Sequence, residues 1–148
     1  MTIEAFTEFS HGTMHAPDIA TSLLPHARHY LDAATVADLE SIVDADANDV
    51  EAIESINYAI DALQDYAAPY CYIGAHEGDG SSLGCWPCFE SANDDNDILH
   101  VEDGSDIPSD HIGFALIVND HGNATLVECR GPDQSGEYCE TIEIWACV

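Results

Sequence analysis

NDVEAIESINYAIDALQDYAAPYCYIGAHE, residues 48–77, carries the chain from its clearest helix into its first long strand. Val50, Ile53, Ile56, Ile60, Leu63 and Ala67 recur at spacings of three and four, which places them along one helix face. Asn48 followed by Glu51 reads as a capping box at the start, and the helix is predicted to run to about Tyr66. Glu51, Glu54, Asp61 and Asp65, with Tyr58 between them, fall on the opposite face. Glu54 and Asp61 lie about 10 Å apart along the axis. No Lys follows at i+4, the support that surface helices ordinarily use. YCYIGAHE then reads as a strand that pairs with SLGCWPCF across a Gly-Asp-Gly loop.

Towards the N-terminus the reading stays helical. Thr35 followed by Asp38 resembles a capping box for a helix through about Ala45. Asp18 is placed to cap a short helix through Leu24, with Pro25 opening a new segment, HARHYL. Residues 1–16 lack a clear period and read as an arm or a short edge element. Towards the C-terminus the reading is β. DILHVED is a short strand candidate, and GFALIV, NATLVECR and EYCETIEIWACV form an antiparallel meander. Asp120-His121-Gly122 suits a three-residue turn with Gly in the left-handed position. In the last strand Ile142, Ile144 and Ala146 are assigned to one face, and Thr141, Glu143 and Trp145 to the other. Helices first and strands afterwards predict a single α+β domain over residues 1–148. Its helical part, 1–68, is expected to pack on a C-terminal antiparallel sheet of about four to six strands formed by 69–148. No internal repeat is present.

Charge is the most informative bulk property. The 148 residues include 29 Asp and Glu against Arg28, Arg130 and no Lys, a formal charge of −27. A domain of this length ordinarily carries roughly 18 basic residues. Removal of cations therefore matters more than accumulation of anions. The hydrophobic fraction of 46% is enough for a folded core, so acidity does not mean disorder here. Self-repulsion destabilises such a chain, and its field repels nucleic acid and anionic membranes while attracting basic proteins. In number, the net charge matches about 45 Å of duplex DNA. A salt-rich cytoplasm selects a similar bias, which keeps a generic acidic or halophilic interaction or structural domain as the alternative. The start, MTIEAFTEFSHG, has neither a basic nor an apolar signal region, so a cytoplasmic protein with reduced thiols is expected. No apolar run is long enough to span a membrane.

Motifs for chemistry are sparse. Cys85-Trp86-Pro87-Cys88 is a C-x-x-C, but the anionic surroundings would raise a thiol pKa rather than lower it. The same Cys85 and Cys88 are weak candidates for half of a zinc site, which leaves a small zinc-stabilised module as a further alternative. Cys129 and Cys139 are placed to face each other across the last hairpin, as free core thiols or as a disulfide if oxidised. His11 with His15 and His26 with His29 have helical metal-ligand spacing without any accompanying motif. Protonating all eight histidines would move the charge from −27 to −19. The acidic loops fail the calcium-loop template, and Gly78-Asp79-Gly80-Ser81-Ser82 lacks the Lys of a phosphate loop. No catalytic set, and no cofactor, is assigned.

YAAPYCYIGAHEGDGSSLGCWP (66–87), IPSDHIGFALIVNDHGNATL (107–126) and EIWACV (143–148) resemble a group of small acidic proteins encoded by tailed bacteriophages and related mobile elements. Cys85 and Cys88 depart from that group's pattern. The resemblance implies a phage-like origin and brings no enzymatic activity with it. Taken with the charge, it points to a non-enzymatic counter-defence protein of the anti-restriction or anti-CRISPR class. Such a protein would mimic nucleic acid and occupy the basic nucleic-acid-binding surface of a host protein or nuclease complex. The partner-binding candidates are Asp38, Glu40, Asp44, Glu51, Glu54, Tyr58, Asp61 and Asp65, followed by Asp94, Asp95 and Asp97 in an acidic loop.

Overall fold

A computed structural model describes all residues, 1–148, as an α+β chain. It divides into two compact units, Met1–Trp86 and Pro87–Val148. The first hairpin, at the start of the mainly β part, belongs with the helices to the first of these units. None of its helices is long and apolar enough to cross a membrane.

In the first unit, strand β1 (Glu8–Ser10) is followed by helices α1 (Ala16–Tyr30), α2 (Ala33–Asp44) and α3 (Val50–Leu63). A short 3-10 turn (Gln64–Tyr66) then leads to strands β2 (Cys71–His76) and β3 (Asp79–Pro87). α1 is continuous through Pro25, where the sequence predicted a break. The proline is exposed, and the buried row Ala20, Leu23, Leu24 and Ala27 holds the helix together despite the one missing N–H. α2 begins one turn earlier than the capping-box reading. Asp32 is its N-cap, accepting from the Thr35 amide at 2.8 Å, and Thr35 is a buried residue of the first turn. Asp49, not Asn48, caps α3 by accepting from the Ala52 amide at 2.9 Å. The Asn48 side chain instead accepts from the Ala16 amide at 2.9 Å, tying the start of α1 to the start of α3.

The buried row of α3 is Ala52, Ile56, Ala59 and Leu63. The sequence placed Val50, Ile53 and Ile60 there as well, but Val50 is 70% and Ile53 48% exposed. Alanines let the helix approach its neighbours closely, so the inward face centres on Ala52, Ile56 and Ala59 and is rotated away from Ile53 and Ile60. The sheet order is β1-β3-β2, and the hairpin turns at Glu77-Gly78, so Asp79 and Gly80 already belong to β3. Gly84 is required where β1 crosses β3: a Cβ there would collide with the Thr7 carbonyl and come within 2.8 Å of the Trp86 ring. Gln64 closes the other edge, its amide donating to the Cys71 carbonyl at 3.1 Å and accepting from the Ile73 amide at 2.7 Å.

The second unit contains helix α4 (Phe89–Asp94) and strands β4 (Leu99–Val101), β5 (Ile112–Val118), β6 (Ala124–Pro132) and β7 (Cys139–Cys147). They form a four-stranded sheet in chain order. The meander β5-β6-β7 is antiparallel as predicted, but β4 pairs parallel to β5, so the sheet is mixed. The ladder places Leu116, Leu126 and Trp145 on one face, each at most 2% exposed. Ala115, Val127 and Cys129 cluster on the other with Ile107. The alternation assigned to β7 fails at Ile144. Leu126 opposes Trp145 and Val127 opposes Glu143, so Ile144 is the extra residue of a bulge, and Trp145 turns inward. The turn at 120–122 forms as expected, with Gly122 at φ 81°. Asn119 accepts from the amides of His121 and Asn123, both at 3.0 Å.

Candidate functional site

The acidic helices α2 and α3 contain no basic residue. Glu51, Glu54, Asp61 and Asp65 are all exposed around Tyr58, which is itself 63% exposed. No hydrogen bond or ion pair engages the carboxylates of these four, nor of Asp38 or Asp44. Two features refine the α2 candidates. Asp38 lines a shallow groove between α2 and α3 together with Asp49 and Glu51, so carboxylates of both helices border one concavity. Glu40 stands on the other flank of α2, where Arg28 of α1 reaches it at 3.2 Å. Its charge is partly compensated, unlike those on α3. The second arginine, Arg130, meets Glu128 at 3.3 Å. Both pairs are surface ion pairs, worth little in stability. They do mean that each of the two cations is already matched to a carboxylate.

Asp94, Asp95 and Asp97 belong to the other unit. Asp94 ends α4, and Asp95 accepts from the Asp97 amide at 2.8 Å, holding its loop. His100 meets the Asp95 carbonyl at 2.9 Å.

Four carboxylates outside the predicted set have their pKa values lowered, each by hydrogen bonds to a residue two or three further on. The Thr35 hydroxyl and amide stabilise ionised Asp32, and the Ser81 hydroxyl and amide do so for Asp79. The Ser105 amide leads at Asp103, and the Ser135 hydroxyl at Asp133. Three of these sites share the order Asp-x-Ser, a local turn signal that is legible in sequence.

Sequence reasoning missed a cavity of about 330 Å³ in the first unit, formed by α1, α3 and the β2–β3 hairpin. Ile53 and Ile60, assigned to the core, are among its walls. The available signal was the alanine pair Ala52 and Ala59: it marks the close-packed side of α3 and leaves the isoleucines a quarter-turn away.

The thiols are all free. Cys85 is fully buried, donates to the Ile3 carbonyl at 3.5 Å, and has its pKa lowered by a hydrogen bond with the Cys71 side chain. Cys88 precedes α4 and accepts from Ser91 at 3.0 Å. Cys139 neighbours Cys129, but the two do not face each other as the hairpin reading expected: the register sets Thr141 opposite Cys129 and Pro132 opposite Cys139. Burial, then the neighbouring Cys139, pushes the Cys129 pKa up to about 11. The paired histidines serve carboxylates and rings instead of a common ligand. His11 meets Glu8 at 2.8 Å, His15 meets Asp18 at 3.4 Å, and His26 packs against Phe9 with ring centroids 4.5 Å apart and planes tilted by 54°. No three His, Cys, Asp or Glu side chains gather as a metal-holding group. No family model, curated protein or solved structure matches the chain.

Proposed function

We propose that this chain is a non-catalytic acidic binding module that occupies the basic, nucleic-acid-binding surface of another protein. The observation that carries the proposal is the set of exposed carboxylates on α2 and α3 that engage no cation (Asp38, Asp44, Glu51, Glu54 and Asp61), in a chain of charge −27 whose two arginines are paired with Glu40 and Glu128. The placement of charge supports it. Asp44 ends α2 and Asp61 lies in the last turn of α3, where a negative charge opposes the helix dipole at about 0.3–1 kcal/mol each. Carboxylates kept at unfavourable positions, with no basic neighbour, suit a surface selected for its field. In biological terms the reading is a phage-type counter-defence protein of the anti-restriction or anti-CRISPR class, acting in the host cytoplasm. Its partner is a basic host nucleic-acid-binding protein or nuclease complex.

The test is capture of partners from a bacterial lysate, followed by a wash with excess duplex DNA. A basic nucleic-acid-binding protein released by DNA supports competition. A partner that resists both DNA and moderate salt would falsify it. Glu54→Lys combined with Asp61→Lys should abolish capture while leaving the fold intact, since both positions are exposed. Capture unchanged in that variant would remove α3 from the interface.

A further inference from the structure

The cavity in the helical unit has a chemistry that the charge alone does not explain. Met14, Ile19, Ile53, Ile60 and Leu83 give it an apolar wall, while Gly74 and Gly80 contribute no side chain to its hairpin side. A Cβ at Gly80 would meet nothing within 4 Å, so the space beside it is open. Met14 is 74% exposed and Ile53 48%. Large apolar side chains that converge on a concavity while still in contact with water mark a site for an apolar group.

The residues next in the chain to the lining ones are acidic. Asp18 adjoins Ile19, Glu54 adjoins Ile53, Asp61 adjoins Ile60 and Asp79 adjoins Gly80. All four are exposed, and neither arginine lines the cavity. Asp18 is positioned by the Thr13 hydroxyl at 3.0 Å, and Asp79 by Ser81 at 2.8 Å.

We infer that this cavity takes one large apolar side chain, of leucine, methionine or phenylalanine size, presented by a basic segment of the protein partner. Lys and Arg residues flanking that side chain meet Asp18, Glu54, Asp61 and Asp79. The inference rests on the binding-module reading and names how its partner is held. Charge complementarity selects the occupant: a second copy of a chain at −27 is repelled, and so is nucleic acid. The two contributions divide the work. Long-range charge accelerates encounter, whereas a desolvated apolar anchor slows dissociation.

Two synthetic peptides of matched length and Lys/Arg content, one with a central leucine and one with serine there, test this by calorimetric titration of the full chain at low and moderate salt. The leucine peptide should bind about tenfold tighter. The gap should close in Ile53→Gln, an exposed position whose change leaves the unfolding midpoint in place, and methyl NMR signals of Ile53, Ile60 and Met14 should shift with the leucine peptide only. Equal affinity of the two peptides, or a gap that survives Ile53→Gln, overturns the inference while salt-sensitive binding of both leaves the acidic-surface reading standing. Affinities that ignore salt overturn that reading and the flanking carboxylates with it. Self-association that the peptide cannot reverse assigns the cavity to a second copy and overturns the inference.

Discussion

Residues 1–86 hold 15 of the 29 carboxylates together with Arg28, and residues 87–148 hold the other 14 with Arg130. Charge therefore does not distinguish the two units, and each holds acids that tie their own turns, Asp32, Asp49 and Asp79 in the first and Asp95, Asp103 and Asp133 in the second. What the first adds is a row of acids on a helix face. In the first, Glu51, Glu54 and Asp61 project from α3 and Asp65 from the 3-10 turn that follows it, and none of the four makes a bond within the protein. In the second, Asp95, Asp103 and Asp133 accept from amides of their own loops. A carboxylate that holds its own turn is fixed in place, whereas an unbonded one on a helix face can turn toward a partner. The concavities differ in the same sense. The first unit's cavity is mainly aliphatic, whereas the second unit's open concavity is bordered by Asn93, His100, Glu102, Asp106 and Asn119 beside its valines and Leu116. Where charge is spread evenly, the apolar surface set among the charges is the better guide to where a partner docks.

The comparison can be broken most severely in the sheet. Trp145→Ala removes the largest fully buried side chain, and should cost about 3–5 kcal/mol. Hydrogen exchange checks it: amides of β6 and β7 should lose protection, because Trp145 opposes Leu126 across that ladder. If protection there survives, the sheet does not depend on this face. Next in size is Gly84→Ala in the first unit, where the added methyl meets the Thr7 backbone, for which overpacking predicts about 1–3 kcal/mol. The Phe6 and Cys85 amides, which bond between β3 and the residues leading into β1 at 2.7 and 2.8 Å, should exchange faster. Unchanged exchange would mean that the strands separate at no cost.

Much of this architecture is legible in the sequence. The helix at 50–63, the meander and the 120–122 turn follow from period and turn chemistry, which are local. What escaped the sequence depends on distant partners. Asp32 and Asp49 both precede helices, but choosing them over Thr35 and Asn48 requires knowing that Thr35 is buried and that Asn48 is engaged with Ala16. Pro25 reads as a helix breaker unless the burial of Leu23, Leu24 and Ala27 is known. The parallel pairing of β4 and the bulge at Ile144 are register facts, and register is set between strands. The carboxylates of the candidate site could be named from sequence. Of the cavity beside them only the α3 wall is marked in sequence, by Ala52 and Ala59; its hairpin wall of Gly74, Gly80 and Leu83 is not, because α3 and the hairpin must first be brought together.

Asp49→Ala sharpens the contrast between helix-held and loop-held acids. Losing the cap on the Ala52 amide should cost about 1 kcal/mol and fray the turn that carries Glu51 and Ile53. Asp103→Ala removes a comparable bond, to Ser105, but one confined to its loop. Amide exchange should therefore rise at the start of α3 in the first variant, while β5–β7 keep their protection in the second. Equal spread of the disturbance in both would erase the distinction drawn between the units.

The smallest expected effect is a pH dependence confined to the helical unit. Burial, followed by repulsion from His29, lowers the pKa of His26 below its ordinary 6.5. The folded chain thus favours the neutral ring that packs, tilted, against Phe9. Between 6.5 and the lowered folded value, the unfolded chain binds more protons than the folded one. Stability conferred by the neutral ring is therefore complete above about pH 6.5 and declines as pH falls through that window. Denaturant unfolding of the native chain and of His26→Phe, compared at pH 7.5 and 5.5, isolates the contribution, since the other histidines and the carboxylates are common to both. The native chain should lose stability relative to the variant at the lower pH. A difference that stays constant, or widens in the native chain's favour, would mean that His26 is protonated in the fold. Phe9 would then be packing against a cation, and the desolvated contact between β1 and α1 would have to be replaced by a cation–π one.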